Sequence, residues 1–500
     1  MKTGRATRPV RSHDGETYRL KGFGPSGSIS LRVEKLSTLL VGLLLAASPT
    51  GSAPLGDRIT AAVSKVMQRL PAGAAVGVVR NGRLVYAKGF GLRDVAAHKP
   101  VDAGTQFEIG SVSKQFTAAA ILQLKEVKKL ALDDALAKYL PSFPHARDVT
   151  LRQLLNQVSG MPDYFDVKGA ETIFSSAPGG IEKVAAYAKG PLHFKPGTQW
   201  QYSNTNYYVL GRVIEIVSRR SYQAYVREQL FAPAGMSHSD FVSNESKLSD
   251  FATGYWRGPD QKGRTRPAPP ILESWAGGAG AIVSTVGDVA AWDTALARGK
   301  IVTRDDYVLM STPFRLSNGG STAYGMGLGI DELDGHERVW HNGETNGAVA
   351  MNATYPRDDV AIIVVENSLG VDPKQIETAV FAAMFPDAAA AADKPAQSED
   401  PAVRAHVLHL IDEMLRGSIP AGEMSAQFQK IATYDVQKHI AEQLAPLGTP
   451  KAVIFTGKGD RPAAVRYTYR VQFASRSMTL VFIIDKKTNL LDTMGIRKPE

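Results

Sequence analysis

The 500-residue sequence contains no cysteine. This absence excludes disulfide bonds, thiolate metal sites, iron–sulfur clusters, cysteine nucleophiles and lipid anchors attached through cysteine. Internal repeats with a period of about 20–50 residues are also lacking, which argues against a repeat architecture. No apolar run reaches the ~20 residues that a membrane-spanning helix needs, so we expect no stable membrane span.

A strong charge of one sign is lacking from most of the chain. The formal net charge is +9, but residues 1–53 and residues 401–500 carry +5 each, which leaves residues 54–400 at −1. A general polyanion-binding role therefore has little support, and we expect no nucleic-acid partner. Apolar residues (44%) and charged residues (21%) stand near globular averages, so the chain can bury a large core.

The first 53 residues read as a leader. An apolar stretch at residues 36–47 follows Arg32 and Lys35, and small residues follow it at 48–53. A basic start, a short apolar core and a small-residue exit are the parts of a secretory signal, here at about residues 33–53. We therefore expect a periplasmic or secreted protein. Residues 1–32 are open to two readings, a start codon near Val33 or an uncleaved extension.

Residues 54–385 are predicted to form one α+β domain. The dipeptide Asn81-Gly82 joins two apolar runs, at 73–80 and 83–90, and predicts a tight hairpin. Further strands are predicted at 339–342, 349–355 and 360–366, and helices at 58–70, 111–128, 206–218, 222–231 and 377–384.

Residues 386–400, rich in Ala, Pro and Asp, are predicted to be a linker to a second domain. Helices are predicted at 402–415 and 421–444, and strands after them. Residues 465–473 alternate apolar and polar side chains with a period of two. Two helices followed by an antiparallel meander predict a small α+β accessory domain at 401–500. In outline it resembles the cone-shaped domains of the nuclear transport factor 2 (NTF2) type.

Ser111 and Lys114 lie three residues apart at the start of a predicted helix, so their side chains leave the same face. A serine hydroxyl becomes a good nucleophile when a base takes its proton, and a desolvated lysine can be that base. The positive end of the helix dipole also favours an oxyanion beside Ser111. This is the one Ser-x-x-Lys spacing in the chain.

Tyr202 and Asn204 form the one Tyr-x-Asn spacing in the chain. A tyrosine near a charged Lys114 would have its pKa lowered and could shuttle a proton between nucleophile and leaving group. The amide of Asn204 can bond both the lysine and a substrate.

The third segment is His341-Asn342-Gly343-Glu344, at the end of a predicted strand. A backbone N–H at such a strand end can complete an oxyanion hole with the N–H of Ser111.

These three segments, in this order, resemble the penicillin-recognising serine hydrolases. Within that family the chain is most similar to the branch of class C β-lactamases, D-alanyl-D-alanine carboxypeptidases, D-aminopeptidases and β-lactamase-like esterases. The resemblance covers about residues 57–385. It implies a β-lactamase/transpeptidase-like antiparallel sheet flanked by helices, with a helical insertion and a cleft between them.

The resemblance also implies roles for single residues. Ser111 would be the acylated nucleophile, Lys114 its base and Tyr202 the general acid and base. Asn204 would be a positioning amide, and the N–H of Glu344 the second oxyanion donor. Which side chain is the base in Ser-x-x-Lys enzymes stays open between Lys114 and Tyr202.

The third motif and Tyr164 complete the implied substrate site. His341 and Gly343 would form the cleft wall, but His341 stands where the family has lysine and Asn342 where it has threonine. A histidine is mostly neutral above pH 7, and Lys114 would lower its pKa further, so we expect weak binding of substrate carboxylates. Tyr164 fits either the cleft wall or an ordinary core contact.

Two functional readings follow. The first is a serine hydrolase, with no metal or organic cofactor, acting through an acyl-enzyme on an ester, an amide or a D-amino-acid peptide, including one derived from a cell wall. The second is a non-catalytic protein that binds penicillin-like molecules or cell-wall fragments. A binder has no need of a base beside its serine, which favours the hydrolase. The sequence does not indicate an oligomeric state.

Overall fold

The Asn81-Gly82 dipeptide makes the tight turn that its sequence predicts, with positive φ at both residues (+53° and +64°). It joins the first two strands of a seven-stranded antiparallel sheet, in which the strands lie side by side in the order Lys99–Pro100, Arg83–Asp94, Gly73–Arg80, Val360–Glu366, Val349–Tyr355, His336–Glu344 and Gly329–Leu333. This computed structural model describes residues 53–68, 72–242, 250–259, 265–387, 399–432 and, with short gaps, 437–497. Residues 1–52 of the predicted leader and 388–398 of the predicted linker lie outside the described residues.

The strands are numbered in chain order. Those before residue 300 are β1 Gly73–Arg80, β2 Arg83–Asp94, β3 Lys99–Pro100, β4 Phe107–Glu108, β5 Asp240–Phe241, β6 Tyr255–Pro259, β7 Thr265–Pro267 and β8 Ile282–Ser284. Those after it are β9 Gly329–Leu333, β10 His336–Glu344, β11 Val349–Tyr355, β12 Val360–Glu366, β13 Ala452–Asp460, β14 Ala464–Gln472, β15 Ser477–Asp485 and β16 Leu491–Arg497. The predicted strands at residues 73–90 and 339–366 are confirmed.

The helices are numbered in the same way. The first seven are α1 Leu55–Met67, α2 Lys114–Glu126, α3 Leu151–Leu155, α4 Ala170–Ser176, α5 Ile181–Tyr187, α6 Asn204–Ser218 and α7 Tyr222–Val226. The remaining ones are α8 Ala232–Ala234, α9 Glu273–Gly280, α10 Val286–Ala297, α11 Arg304–Met310, α12 Pro373–Met384, α13 Pro401–Arg416 and α14 Ala426–Ile431. Among the residues so described, none of the helices is both long and apolar enough to cross a membrane.

Both faces of the seven-stranded sheet are covered, which explains why the buried pattern of β12 is continuous rather than alternating. Val360, Ile362 and Val364 pack in one cluster with residues of α1 and α12. Ala361, Ile363 and Val365 belong to the larger cluster that includes α2, α6 and α10. This second cluster joins the sheet to helices α2, α6 and α10. The candidate site lies beside α2 and α6, because Lys114 begins α2 and Asn204 begins α6.

The residues after 400 form a four-stranded antiparallel sheet, β13-β14-β15-β16, with its own apolar cluster drawn from residues 407–491. Helix α13 confirms the prediction at 402–415. The long helix predicted at 421–444 is wrong at its start: a single 3₁₀ turn covers 421–423, and α14 ends at Ile431. Met424 instead bridges to Leu491 of β16, so pairing with the sheet interrupts the helical pattern.

Candidate active site

Ser111 lies in a 3₁₀ turn at Gly110–Ser113, which runs directly into α2. Gly110 has a φ of +49°, and a Cβ there would lie 2.7 Å from the backbone nitrogen of Glu344. Glycine is therefore needed both for the left-handed backbone and for the close approach of β10. This contact brings the turn that carries Ser111 and the end of β10 together.

Lys114, the first residue of α2, is fully buried. Its Nζ donates to Ser111 Oγ at 2.9 Å, to Asn204 Oδ1 at 2.8 Å and to the Ala279 carbonyl at 2.8 Å. Burial lowers the lysine pKa to about 7, although the negative charge of Asp163 opposes that shift. A substantial fraction of Lys114 is therefore neutral at neutral pH, the form that can take a proton from Ser111.

Tyr202 also contacts Ser111 and donates its phenolic proton to Ser111 Oγ at 2.8 Å. The prediction that Lys114 lowers the pKa of Tyr202 is wrong. Burial raises the tyrosine pKa above its ordinary value of 10, and the negative charge of Asp163 adds to that shift. Tyr202 is consequently protonated at neutral pH and is suited to donate a proton.

Asn204 is the first residue of α6 and connects Lys114 to a carboxylate. Its Nδ2 donates to Asp163 Oδ2 at 2.9 Å while its Oδ1 accepts from Lys114. Burial raises the pKa of Asp163, and the backbone N–H of Phe165 donates to its other oxygen at 3.1 Å. Asp163 was missed by the sequence analysis, where the available signal was its place directly before Tyr164.

The third motif lies on β10, where side chains alternate between two environments. Asn342 and Glu344 are exposed and line the cavity at Ser111. His341 is only 4% exposed and is not one of the lining residues. The expectation that the His341 side chain forms the cleft wall is therefore wrong, since the strand turns it to the opposite face from Asn342.

Burial holds His341 in a neutral form, and its hydrogen bonds determine which ring nitrogen carries the proton. Its Nδ1 donates to the carbonyl of Asn342 at 2.5 Å, so Nε2 accepts from the Tyr324 hydroxyl at 2.9 Å. Burial, together with the positive charges of Lys114 and Lys374, lowers its pKa to about 3. The predicted direction is confirmed, with burial as the larger cause. The ring lies 6.1 Å from that of Tyr202 and packs behind it.

Gly343 supports the site through its backbone. A Cβ at this position would lie 1.9 Å from the carbonyl oxygen of Ile109, two residues before Ser111. Any side chain would push β10 away from the turn that carries Ser111. Tyr164 is fully buried, donates to the carbonyl of Trp275 and packs against Phe174. The structure thus places Tyr164 in the core rather than in the cleft wall.

A cavity of about 890 Å³ opens at Ser111. Apolar side chains cover much of its wall. Its lining residues include Phe165, Val167, Phe174, Trp200, Trp256 and Ile271 on the apolar side. Among the described residues, no group of three or more His, Asp or Glu side chains is arranged to hold a metal ion.

A family model described as Beta-lactamase matches residues 60–384. The chain is 34% identical over 266 residues to the putative penicillin-binding protein PbpX of Bacillus subtilis (strain 168), covering 53% of this chain and 64% of that protein. It is 31% identical over 322 residues to the D-aminopeptidase of Brucella canis, covering 60% of each. The chain thus spans less than two thirds of the length of these relatives.

The fold is similar to that of solved structures. The octameric penicillin-binding protein homologue from Pyrococcus abyssi matches with a TM-score of 0.59 at 24% identity, covering 89% of this chain and all of that one. The D-amino acid amidase from Ochrobactrum anthropi SV3, complexed with L-phenylalanine amide, matches with a TM-score of 0.60 at 23% identity, covering 67% of this chain and 99% of that one. These likenesses confirm the predicted β-lactamase/transpeptidase-like α+β fold.

Proposed function

The chain belongs to the beta-lactamase family, and from that premise we propose that it is a serine hydrolase that forms an acyl-enzyme on Ser111. The observation that carries the proposal is the pair of contacts on Ser111 Oγ, with Lys114 Nζ at 2.9 Å and Tyr202 OH at 2.8 Å. One neighbour is a base near its neutral form, and the other is a protonated acid. A nucleophile between such groups is arranged for acyl transfer.

The reaction begins when neutral Lys114 takes the proton of Ser111 as its Oγ attacks the substrate carbonyl carbon. The backbone N–H groups of Ser111 and Glu344 stabilise the oxyanion that develops. Tyr202 donates its proton to the leaving group as the bond to that group breaks. Water then attacks the ester on Ser111, with the same side chains moving the proton in the opposite direction.

We propose small esters, amides and D-amino-acid derivatives as the substrate class, as in the esterase and aminopeptidase part of the class C-like branch. D-aminopeptidases and a D-amino acid amidase among the relatives support this choice. The buried, neutral His341 supports it as well, because it supplies no positive charge for the carboxylate of a β-lactam or of a C-terminal D-alanine. β-Lactamase and carboxypeptidase activity should therefore be weak.

The proposal is tested by rapid mixing with p-nitrophenyl acetate. We expect a burst of one equivalent of p-nitrophenolate from the wild type and no burst from Ser111→Ala. Lys114→Ala should lower the burst rate at least about 100-fold, because the base acts on the transition state. Lys129→Ala, an exposed lysine beyond the end of α2, is the control and should match the wild type.

A Lys114→Ala variant that keeps more than about a tenth of the rate, a difference of only ~1.4 kcal/mol, would show that Lys114 is not the base. A burst from Ser111→Ala would exclude Ser111 as the nucleophile.

We also propose that the protein is exported to the periplasm or beyond. The apolar stretch at residues 36–47, with Arg32 and Lys35 before it, supports this location. N-terminal sequencing of the natural protein should find a mature chain that begins close to residue 54. A natural chain that begins at Met1 would contradict a cleaved signal.

A further inference from the structure

Glu344 is the one charged side chain among the described residues that line the cavity at Ser111. The two nearby basic residues, Lys114 and His341, place no positive charge on the cavity wall beside Glu344. Lys114 lies behind the nucleophile with its Nζ bonded to three oxygen atoms, and His341 is neutral and buried. A ligand in this cavity therefore meets one carboxylate and no cationic side chain of the described wall.

The position of Glu344 relative to the reacting bond follows from its backbone. Its nitrogen lies against Gly110, the residue before Ser111, and a Cβ on Gly110 would be only 2.7 Å from it. The side chain of Glu344 is exposed and starts from that point on the cavity wall. Its carboxylate thus lies within one side-chain length of the place where a substrate carbonyl meets Ser111 Oγ.

The Glu344 carboxylate lies within one side-chain length of the reacting carbonyl. A substrate cation at that distance from the carbonyl is an amino group on the adjacent carbon atom. In an α-amino acid amide or ester, one carbon atom carries both the ammonium and the carbonyl. The same carbon carries the side chain, for which Phe165, Phe174 and Ile271 offer an apolar surface in the same cavity. One carboxylate beside an apolar surface thus matches an amino acid derivative with a free amino group.

We propose that the Glu344 carboxylate determines specificity by binding the free α-ammonium of an amino acid amide or ester with an apolar side chain. By the same charge it disfavours substrates with a carboxylate in that place. This inference rests on the proposed function, because it assumes acylation of Ser111. It adds the residue that selects among acyl donors.

The test compares D-phenylalanine p-nitroanilide with its N-acetyl derivative at pH 7. We expect the wild type to favour the free amine by at least about fivefold in kcat/KM, as one partly exposed ion pair provides. Glu344→Gln should bring the ratio close to one, mainly by raising KM for the amine. Glu337→Gln, on the same strand but paired with Arg357 away from the cavity, is the control and should keep the wild-type ratio.

A second measurement does not need turnover. D-phenylalanine amide and its N-acetyl derivative are compared as competitors of fluorophosphonate labelling, where the free amine should protect better in the wild type but not in Glu344→Gln. Glu344→Lys should reverse the charge preference and raise kcat/KM for a chromogenic cephalosporin, which carries a carboxylate.

Equal use of both derivatives by the wild type, or a preference that persists in Glu344→Gln, would overturn the role of Glu344. Absence of fluorophosphonate labelling in the wild type would instead refute the proposed function. The two failures are therefore distinguishable in the same set of samples.

Discussion

Lys114 Nζ lies against three oxygen atoms, none of which carries a full charge: Ser111 Oγ, Asn204 Oδ1 and the carbonyl of Ala279. Without a carboxylate in contact, burial dominates and lowers the pKa of the lysine to about 7. Asp163 acts through Asn204 and holds that pKa higher than burial alone would. The charge state of Lys114 thus depends on a residue that does not contact it.

This arrangement predicts a pH profile. Because the base must be neutral, kcat/KM for an ester should rise with pH through about 7 and then level off. Asp163→Asn removes the negative charge that stabilises the protonated lysine, so the midpoint of the rise should move to lower pH by about half a unit or more. The measurement is kcat/KM for p-nitrophenyl acetate from pH 5 to 9.

Asp148→Asn is the matched control, since Asp148 is exposed and its charge shifts the pKa of neither Lys114 nor Asp163. It should leave the midpoint unchanged. A midpoint for Asp163→Asn that stays in place, or moves to higher pH, would contradict the proposed coupling. A general loss of rate would not contradict the coupling, because the midpoint of the pH profile does not depend on the absolute rate.

Sequence reasoning at the residue scale identified the groups that touch Ser111 but not their charge states. Ser111, Lys114, Tyr202 and Asn204 were found because the motif spacings are unusual in one chain. The direction of the Tyr202 pKa was wrong because it depends on burial, which a motif does not reveal. Asp163 was missed because it meets Asn204 across 41 residues of sequence.

Strand β10 shows the same limit at the scale of one element. Its existence and its place after the helical region were predictable from its apolar residues. The sequence does not predict which face of β10 lines the cavity. Successive side chains point to opposite faces, so a shift of one residue would put His341 in the place of Asn342. The close approach of Gly343 to Ile109 fixes that choice, and only the packed structure shows it.

A second group of buried polar residues lies where α2, α10 and β11 meet. Three buried atoms without a hydrogen-bond partner in the described structure, Gln115 Nε2, Asp293 Oδ2 and Asn352 Oδ1, belong to residues that line one cavity of about 10 Å³. Burial raises the pKa of Asp293 to about 7. The folded state therefore favours the protonated form of this carboxyl group.

Asp293→Asn should stabilise the protein at neutral and alkaline pH. The pKa of Asp293 is raised on folding from 3.8 to about 7, so its contribution to stability is present below pH 4 and is lost as pH rises to 7. An asparagine carries no such charge, and its amide can also donate to Asn352 Oδ1. We expect a gain of about 1–3 kcal/mol at pH 8 and little change at pH 4, measured by urea unfolding.

Asp305→Asn, an exposed aspartate at the start of α11, is the control and should show no such pH-dependent gain. If Asp293→Asn lowers stability at pH 8, then the folded protein stabilises the charged carboxylate of Asp293. That result would contradict the claim that folding raises the pKa of Asp293.

The described part of the molecule contains separate apolar cores on the two sides of the predicted linker. The cluster after residue 400 is built entirely from residues 403–494, and the other two clusters are built entirely from residues before 386. Between the two parts, Arg466 pairs with Glu332 at 2.7 Å. The apolar clusters are separated at the same place where the sequence has the segment rich in Ala, Pro and Asp.

A chain that ends at Asp387 should therefore fold without the accessory domain. We expect cooperative thermal unfolding, and fluorophosphonate labelling at a rate within about threefold of the full chain. A chain that ends at Gly370 is the control: it lacks α12, whose buried Ile376 and Phe381 cover the sheet, and should fail to fold. An insoluble or unlabelled chain ending at Asp387 would show that residues after 400 complete the core or the cleft.

The most direct test of the account is the intact mass of the protein after exposure to a fluorophosphonate. The wild type should gain the mass of one adduct, which peptide mapping places on Ser111, and Ser111→Ala should gain none. Ser113→Ala should still be labelled, because Ser113 is buried in the same turn, where its Oγ accepts from the backbone of Ile282. A wild type that stays unmodified, or an adduct that persists in Ser111→Ala, would contradict the assignment of Ser111 as the nucleophile.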